Sequence, residues 1–410
     1  MFSLQPIQLL TAAINEPGVF LLDSASGNRE QARYSYLGIN PVKIIKAKSF
    51  DQLRQLKTTL PAVGFIGYDG HMQFALYDAL CCLDHQRKSL TIKTFGLSKN
   101  VKRLKELIKK AQSGDRSQAP VTPQASLKLT PSMTQREFKK AVTTTLKHIH
   151  DGDIYQLNLT YQREGTINKS IKPQDALAVY EALRQASPTH LSAFIKTGDQ
   201  FILCSSPERF LSLKKNIATL CPMKGTRPRG KNKDQDTRNR RELLINPKER
   251  AELLMVTDLA RNDLGRVCQT GSVKVKALRS IESYAHVFQA TATVQGKLRK
   301  DKTIIDLLEA TFPSGSVTGC PKLSAMAIID KLEKTKRGLY TGALGYFNLN
   351  DEADFNVMIR TIFMRGKTIK FNVGSGIVAD SKPQAEYDET VLKSQGMIKA
   401  IQLGLNVNIL

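Results

Sequence analysis

The chain has 410 residues, 41% of them apolar, and carries 61 Lys and Arg against 37 Asp and Glu, a formal net charge of +24. The length suits roughly two to three domain-equivalents, the composition argues against wholesale disorder, and no run approaches the ~18 apolar residues of a membrane helix. Six scattered cysteines without a C-x-x-C, and an N-terminus without a basic secretory n-region, predict a soluble protein in a reduced, cytoplasmic setting. The excess charge leaves a nucleic-acid binder open as a rival class.

Residues 1–111 read as a mixed region with strand-like pieces at Val63–Tyr68 and Leu90–Phe95. Residues 112–133, rich in Ser, Gln and Pro and without an apolar period, read as a linker. The region 134–402 opens with a capping box, Thr134-x-x-Glu137, followed by an apolar stripe of Phe138, Val142, Leu146 and Ile149 at helical spacing. Strands are expected at Phe201–Cys204, Arg209–Leu213 and Ile217–Met223. Three more, Tyr340–Leu349, Phe355–Met364 and Thr368–Val373, suggest an antiparallel meander. Helices begin near Pro247, Thr303, Pro321 and Pro383, with proline or a small polar cap in the first turn. The fold class is α+β, with large antiparallel sheets covered by helices.

Charged residues on apolar faces are the informative oddities. Glu252 shares a helical face with Met255, Val256 and Leu259. Glu386, Glu389 and Lys393 share another beside Met397. Two facing helices could hold a hard cation such as Mg²⁺ through such carboxylates; an ordinary salt-bridged helix surface has the same spacing. Arg360 interrupts a run apolar on both faces, where a guanidinium meets either a buried acid or an anionic ligand. The loop Phe312–Pro321 and the Gly374-Ser375-Gly376 turn could offer backbone amides to an anion. Lys224, at a strand end, is either a basic surface turn or a nucleophile, with Glu208 at a neighbouring turn as a proton donor. No phosphate loop, dinucleotide fingerprint, nucleophile elbow or zinc-protease motif occurs. His148 and His150 flank Ile149 at a helix end and read as structural or solvated.

Taken in order, Asp153–Leu159, Ser206–Phe210, Pro222–Arg229, Arg250–Glu252 with Asp258–Arg266, Phe312–Lys322, Ile359–Thr361 and Gly374–Thr390 strongly resemble the chorismate-utilising enzymes. That family includes component I of anthranilate and aminodeoxychorismate synthases and, more distantly, isochorismate and salicylate synthases. The likeness is dense over about residues 134–400 and thinner at Phe20–Ser24, Arg33–Gly38 and Gly67–Asp69. It implies two large, mainly antiparallel sheets sandwiched between helical layers, with the N-terminal region shortened.

The resemblance also assigns roles. Glu252 and Glu389, with Glu386 close by, match Mg²⁺ ligands that would hold the ring carboxylate of chorismate. Arg360 and Tyr340 match residues binding the enolpyruvyl carboxylate, aided by Gly374, Ser375 and Gly376. Ser316, Lys393 and Thr226 match positions lining the pocket. Gln156 stands where water-adding relatives carry a base lysine, which implies ammonia as nucleophile, supplied by a separate glutamine amidotransferase. Lys224 stands where anthranilate-forming relatives have Ala and aminodeoxychorismate-forming ones have the covalent lysine, with Glu208 as acid.

One position departs from the family. Its catalytic histidine is replaced by Gln289, whereas His286 matches an earlier one; Gln289 is expected to keep an orienting role. Asp23 replaces the Glu of tryptophan-regulated relatives, so feedback by tryptophan is not expected. With 7% aromatic residues, no Trp and no binding module, nucleic acid is not an expected partner.

Overall fold

The computed structural model describes residues 4–24, 32–114, 124–284 and 287–409. Two large sheets dominate, and every pairing within them is antiparallel. One has eleven strands. Along its path Gly319–Cys320, Gln156–Thr166, Thr368–Ile377, Thr361–Arg365, Gln200–Ser206, Leu191–Thr197 and Phe20–Asp23 lie side by side, and N-terminal strands complete it. The other has ten strands, running from Met223–Pro228 through Val287–Lys297, Ile217–Leu220, Arg209–Lys214, Glu352–Val357 and Ala343–Leu349 to Ala62–Ile66. Strands from both sides of residues 112–133 thus share both sheets: Phe20 faces Ile195, and Ala62 faces Phe347.

The layers follow from burial. Phe20, Phe65, Ile202, Leu344 and Phe363 pack between the sheets. Outside the larger sheet, Phe138, Tyr180, Met397 and Ile401 pack with its strands. They come from the helices Gln135–His150, Pro173–Ala186 and Pro383–Leu405. Outside the smaller sheet, Leu264 and Leu308 pack on Leu211 and Phe355. A strand covered on both faces is apolar over most of its length, as in Ala79–Asp84, whose six residues are all buried and apolar up to Asp84. The capping box forms as expected: Thr134 Oγ1 accepts from Glu137 N–H, and Glu137 Oε2 accepts from Thr134 N–H at 2.8 Å. Among the described residues no helix is long and apolar enough to cross a membrane.

Three expectations are corrected. Phe355–Met364 is not one strand. Glu352–Val357 belongs to the smaller sheet and Thr361–Arg365 to the larger, and the chain crosses between them through Met358–Arg360. Arg360 sits at φ +49°, a left-handed turn that no strand interior accommodates. The meander is therefore two hairpins in two sheets. Ile217–Met223 is likewise broken, into Ile217–Leu220 and the start of Met223–Pro228. Within 112–133, residues 115–123 lie outside the described set, but Gln124–Leu127 pairs with Val407–Ile409, and Leu127, Leu129 and Met133 are buried.

The C-terminal helix lies tight on Pro173–Ala186, because a Cβ on Gly404 would come within 2.4 Å of Val179 Cα. Gly404→Leu is expected to lose about 1–3 kcal/mol, read as a lowered midpoint in urea denaturation.

Candidate active site

The functional side chains gather where the two sheets and the C-terminal helix meet. Lys224 comes from an edge strand of the smaller sheet, while Gln156 and Gly376 come from adjacent strands of the larger. Gly376 has a spatial reason to lack a side chain. A Cβ there would lie 3.1 Å from Lys224 Nζ and 3.6 Å from Gln156 Nε2. Gln156 is fully buried, yet neither its Oε1 nor its Nε2 has a hydrogen-bond partner. Leaving such groups unpaired costs about 1–3 kcal/mol each, so the amide is poised for something that arrives from outside the fold. Burial lowers the Lys224 pKa; Glu252 opposes that shift, Lys393 adds to it, and Glu208 and Glu389 oppose it. The shift runs in the direction of the neutral amine.

Glu208 sits on the turn between Gln200–Ser206 and Arg209–Lys214 and is 4% exposed. Its backbone is fixed by Val357 N–H, which donates to Glu208 O at 3.0 Å. Ser316, on the turn Gly315–Val317, donates its hydroxyl to Glu208 Oε1. Burial pushes the Glu208 carboxyl up to about 7, against the pull of Ser316, Lys224 and Lys393. A buried acid therefore lies within electrostatic reach of a half-buried amine.

The carboxylates expected to hold a cation are brought near one another but not closed into a cage. The Ser375 hydroxyl donates to Glu386 Oε2 and lies 3.3 Å from Glu389 Oε2. Lys393 Nζ meets Glu389 Oε1 at 2.5 Å and donates to Gly374 O at 3.1 Å. Burial raises the Glu389 pKa, but Lys393 and Ser375 outweigh it and hold the group below its usual value. Glu252, on Pro247–Gly265, has its pKa raised by burial, with Glu249 and Glu386 adding and Lys224 opposing. Among the described residues no three His, Cys, Asp or Glu side chains are close enough to hold an ion as they stand. The donors nonetheless suit Mg²⁺, which binds through few carboxylates and completes its shell with water and substrate oxygens.

Two corners carry the anion-binding candidates. Thr341 N–H donates to Met358 O at 2.8 Å and Met358 N–H to Gly342 O at 2.8 Å, joining the turn that bears buried Tyr340 to the crossover that bears Arg360. Thr341 and Arg360 both hold positive φ, +59° and +49°, which costs about 1–3 kcal/mol each. Arg360 makes no salt bridge among the described residues; its Nη1 donates to Ser187 Oγ at 3.2 Å. The buried-acid alternative for this guanidinium is thus absent there, which leaves its planar fork for an anion.

Sequence reasoning passed over the clamp behind this corner. Arg337, 5% exposed, donates to both Glu333 oxygens at 2.9 and 2.7 Å, to Asn158 O at 2.6 Å and to Val317 O at 2.7 Å. Its guanidinium also covers the Tyr68 ring, 4.6 Å from the centroid. Glu333 to Arg337 is an i,i+4 pair in a basic run that reads as solvated surface. The clamp ties the Gln156 strand, the Ser316 turn and the Tyr340 corner together.

Gln289 is buried with Oε1 unpartnered, opposite Thr226, which is exposed. His286 lies outside the described residues. A separate cavity of about 580 Å³ between the sheets is lined by Asp23, Tyr36, His190 and Asn356 and by none of the Lys224 cluster. There Asp23 Oδ2 accepts from Arg184 Nε at 2.6 Å and from Tyr180 OH at 3.2 Å, leaving Oδ1 unpartnered.

Residues 25–399 match the model of the chorismate binding enzyme family. The chain is 32% identical to aminodeoxychorismate synthase component 1 of Bacillus subtilis (strain 168), over 93% of this chain and 91% of that protein. It is 31% identical to anthranilate synthase component 1 of Acetivibrio thermocellus, over 97% and 92% respectively. The crystal structure of anthranilate synthase component I from Streptococcus pneumoniae TIGR4 superposes with a TM-score of 0.76 at 29% identity, over 89% of this chain and 92% of that one. The menaquinone-specific isochorismate synthase of Escherichia coli shares the fold, with a TM-score of 0.75 at 20% identity over 96% and 91%.

Arg337→Met removes one partner of a buried ion pair and is expected to cost about 3–5 kcal/mol. A urea titration reads it directly.

Proposed function

The chain belongs to the chorismate-binding enzyme family, and we propose that it converts chorismate and ammonia to 4-amino-4-deoxychorismate, the precursor of p-aminobenzoate for folate. The observation that carries this reading is the pairing of the Lys224 amine, its pKa lowered by burial, with Glu208, its carboxyl raised to about 7. Both shifts run toward the neutral forms that a nucleophile and a general acid require. The Lys224 amine attacks ring C2 while Glu208 protonates the departing C4 hydroxyl. Ammonia then adds at C4 and expels the lysine. Two displacements replace one difficult step.

Arg360 and Tyr340 bind the enolpyruvyl carboxylate, with the amides of Gly374–Gly376 assisting and Ser316, Lys393 and Thr226 lining the pocket. Glu252, Glu386 and Glu389 would hold Mg²⁺, which supplies positive charge to orient the ring carboxylate. Gln156 cannot deprotonate water, so ammonia is the nucleophile; it comes from a glutamine amidotransferase partner. Gln289 orients the substrate without transferring a proton, which suits a product that retains its pyruvyl group. A second reading, anthranilate formation, rests on relatives of nearly equal identity; Lys224 and Gln289 favour the first.

The product formed from chorismate, Mg²⁺ and ammonium, identified by mass, is expected to be aminodeoxychorismate. Anthranilate or isochorismate would overturn the assignment. Lys224→Ala should abolish turnover, and Glu208→Gln should lower kcat by about 10²–10⁴-fold. The profile of kcat/KM against pH should be a bell, because the reaction needs a protonated Glu208, its carboxyl raised to about 7, and an unprotonated Lys224. Gln289→His should leave turnover within an order of magnitude; a gain of about 100-fold, ~2.7 kcal/mol, would contradict the orienting role.

A further inference from the structure

Proton balance in the proposed cycle points to a part of the site that the reaction scheme leaves unused. Neutral Lys224 forms the C2–N bond, the C4–O bond breaks, and the Glu208 proton leaves on oxygen as water. Ammonia then forms the C4–N bond while the C2–N bond breaks, which restores the neutral lysine and leaves the product with a C4 ammonium. With the product departing as its C4 ammonium, each turnover leaves Glu208 one proton short, and solvent has to replace it.

The side of Glu208 turned toward the Ser314–Ser316 turn is built to supply it. Ser316 Oγ donates to Glu208 Oε1, and Ser314 Oγ lies 2.9 Å from Ser316 Oγ. Ser316 has one hydroxyl proton and directs it forward, so Ser314 is the donor to Ser316. Behind them lies a cavity of about 20 Å³ whose lining includes Ser314, Ser316, Thr311, Asp263 and Arg209. That volume admits about one water, and the wall offers it polar partners. Ser316 is buried, whereas Ser314 is half-buried and nearer to solvent. The other groups facing Glu208 do not do this work. Lys224 is the reacting amine, Lys393 is engaged by Glu389 and Gly374 O, and burial keeps the Cys221 thiol protonated, its pKa raised to about 11.

We propose that Ser314, Ser316 and one water in the 20 Å³ cavity form the route by which Glu208 is reprotonated between turnovers. Glu208 takes the Ser316 proton, Ser316 takes that of Ser314, Ser314 takes one from the water, and the water is replenished from solvent. Neither serine changes its net charge. The route rests on the reading of Glu208 as the acid and would serve any reaction in which that carboxyl protonates the C4 hydroxyl.

Rapid-quench kinetics on the full chain with chorismate, Mg²⁺ and ammonium, below pH about 7 where Glu208 starts protonated, separate this role from a structural one. In Ser314→Ala the first turnover should proceed at the wild-type rate. Steady-state kcat should fall by about tenfold or more, giving a product burst, and KM for chorismate should fall in proportion because kcat/KM is untouched. The solvent deuterium isotope effect on kcat should rise, and Ser314→Thr, which restores a hydroxyl, should recover the rate. Equal steady-state rates in Ser314→Ala and wild type, or a first turnover slowed as much as kcat, would overturn the route. Normal turnover in Glu208→Gln would instead overturn the reading beneath it.

Discussion

Taking an amine and a carboxyl group out of water at the meeting of two sheets is the constraint on which the rest of this structure depends. Desolvation disfavours both charged forms. It drives the Lys224 pKa down and the Glu208 carboxyl up to about 7. One physical cause thus prepares two groups for opposite roles. The neighbourhood keeps the effect from becoming ruinous. Glu252 and Glu389 draw the Lys224 pKa back up, and Ser316 donates to Glu208. An isolated buried lysine would offer the chemistry without the stability.

Two antiparallel sheets deliver these groups because their edges and corners converge. Gln156 and Gly376 lie near one end of a strand pair, in a register that sets Leu157 against Ile377 and Asn158 against Gly376. The crossover at Met358–Arg360 hands the chain from one sheet to the other and turns a guanidinium out of the ladder as it does so. Its strain, and that of Thr341, persists because the corners are hydrogen-bonded to each other and backed by the Arg337–Glu333 pair. The positions that look least comfortable are those nearest the anion-binding candidates.

Much of this was legible in the residues. The capping box at Thr134 and the proline-led helix starts read correctly, because local rules decide them. The crossover did not. Phe355–Met364 is apolar on both faces whether it is one buried strand or two strands in different sheets, and periodicity carries no information about which sheet a strand joins. The Arg337 clamp was hidden for a related reason: its Lys-rich surroundings look solvated, and only tertiary burial reveals an ion pair there. Likewise, spacing put Glu386, Glu389 and Lys393 on one helical face, yet could not show that Glu389 and Lys393 stay exposed there or that Lys224 comes within electrostatic reach of Glu252 and Glu389.

The central claim is that Lys224 attacks the ring covalently. Its most direct test is intact-protein and peptide mass spectrometry of the enzyme quenched during incubation with chorismate and Mg²⁺ in the absence of ammonia. The account predicts an adduct equal to chorismate less one water, carried by the peptide containing Lys224 and discharged on adding ammonium. Aminodeoxychorismate formed on adding ammonium with no adduct at Lys224, or an adduct that ammonium does not discharge, would contradict it.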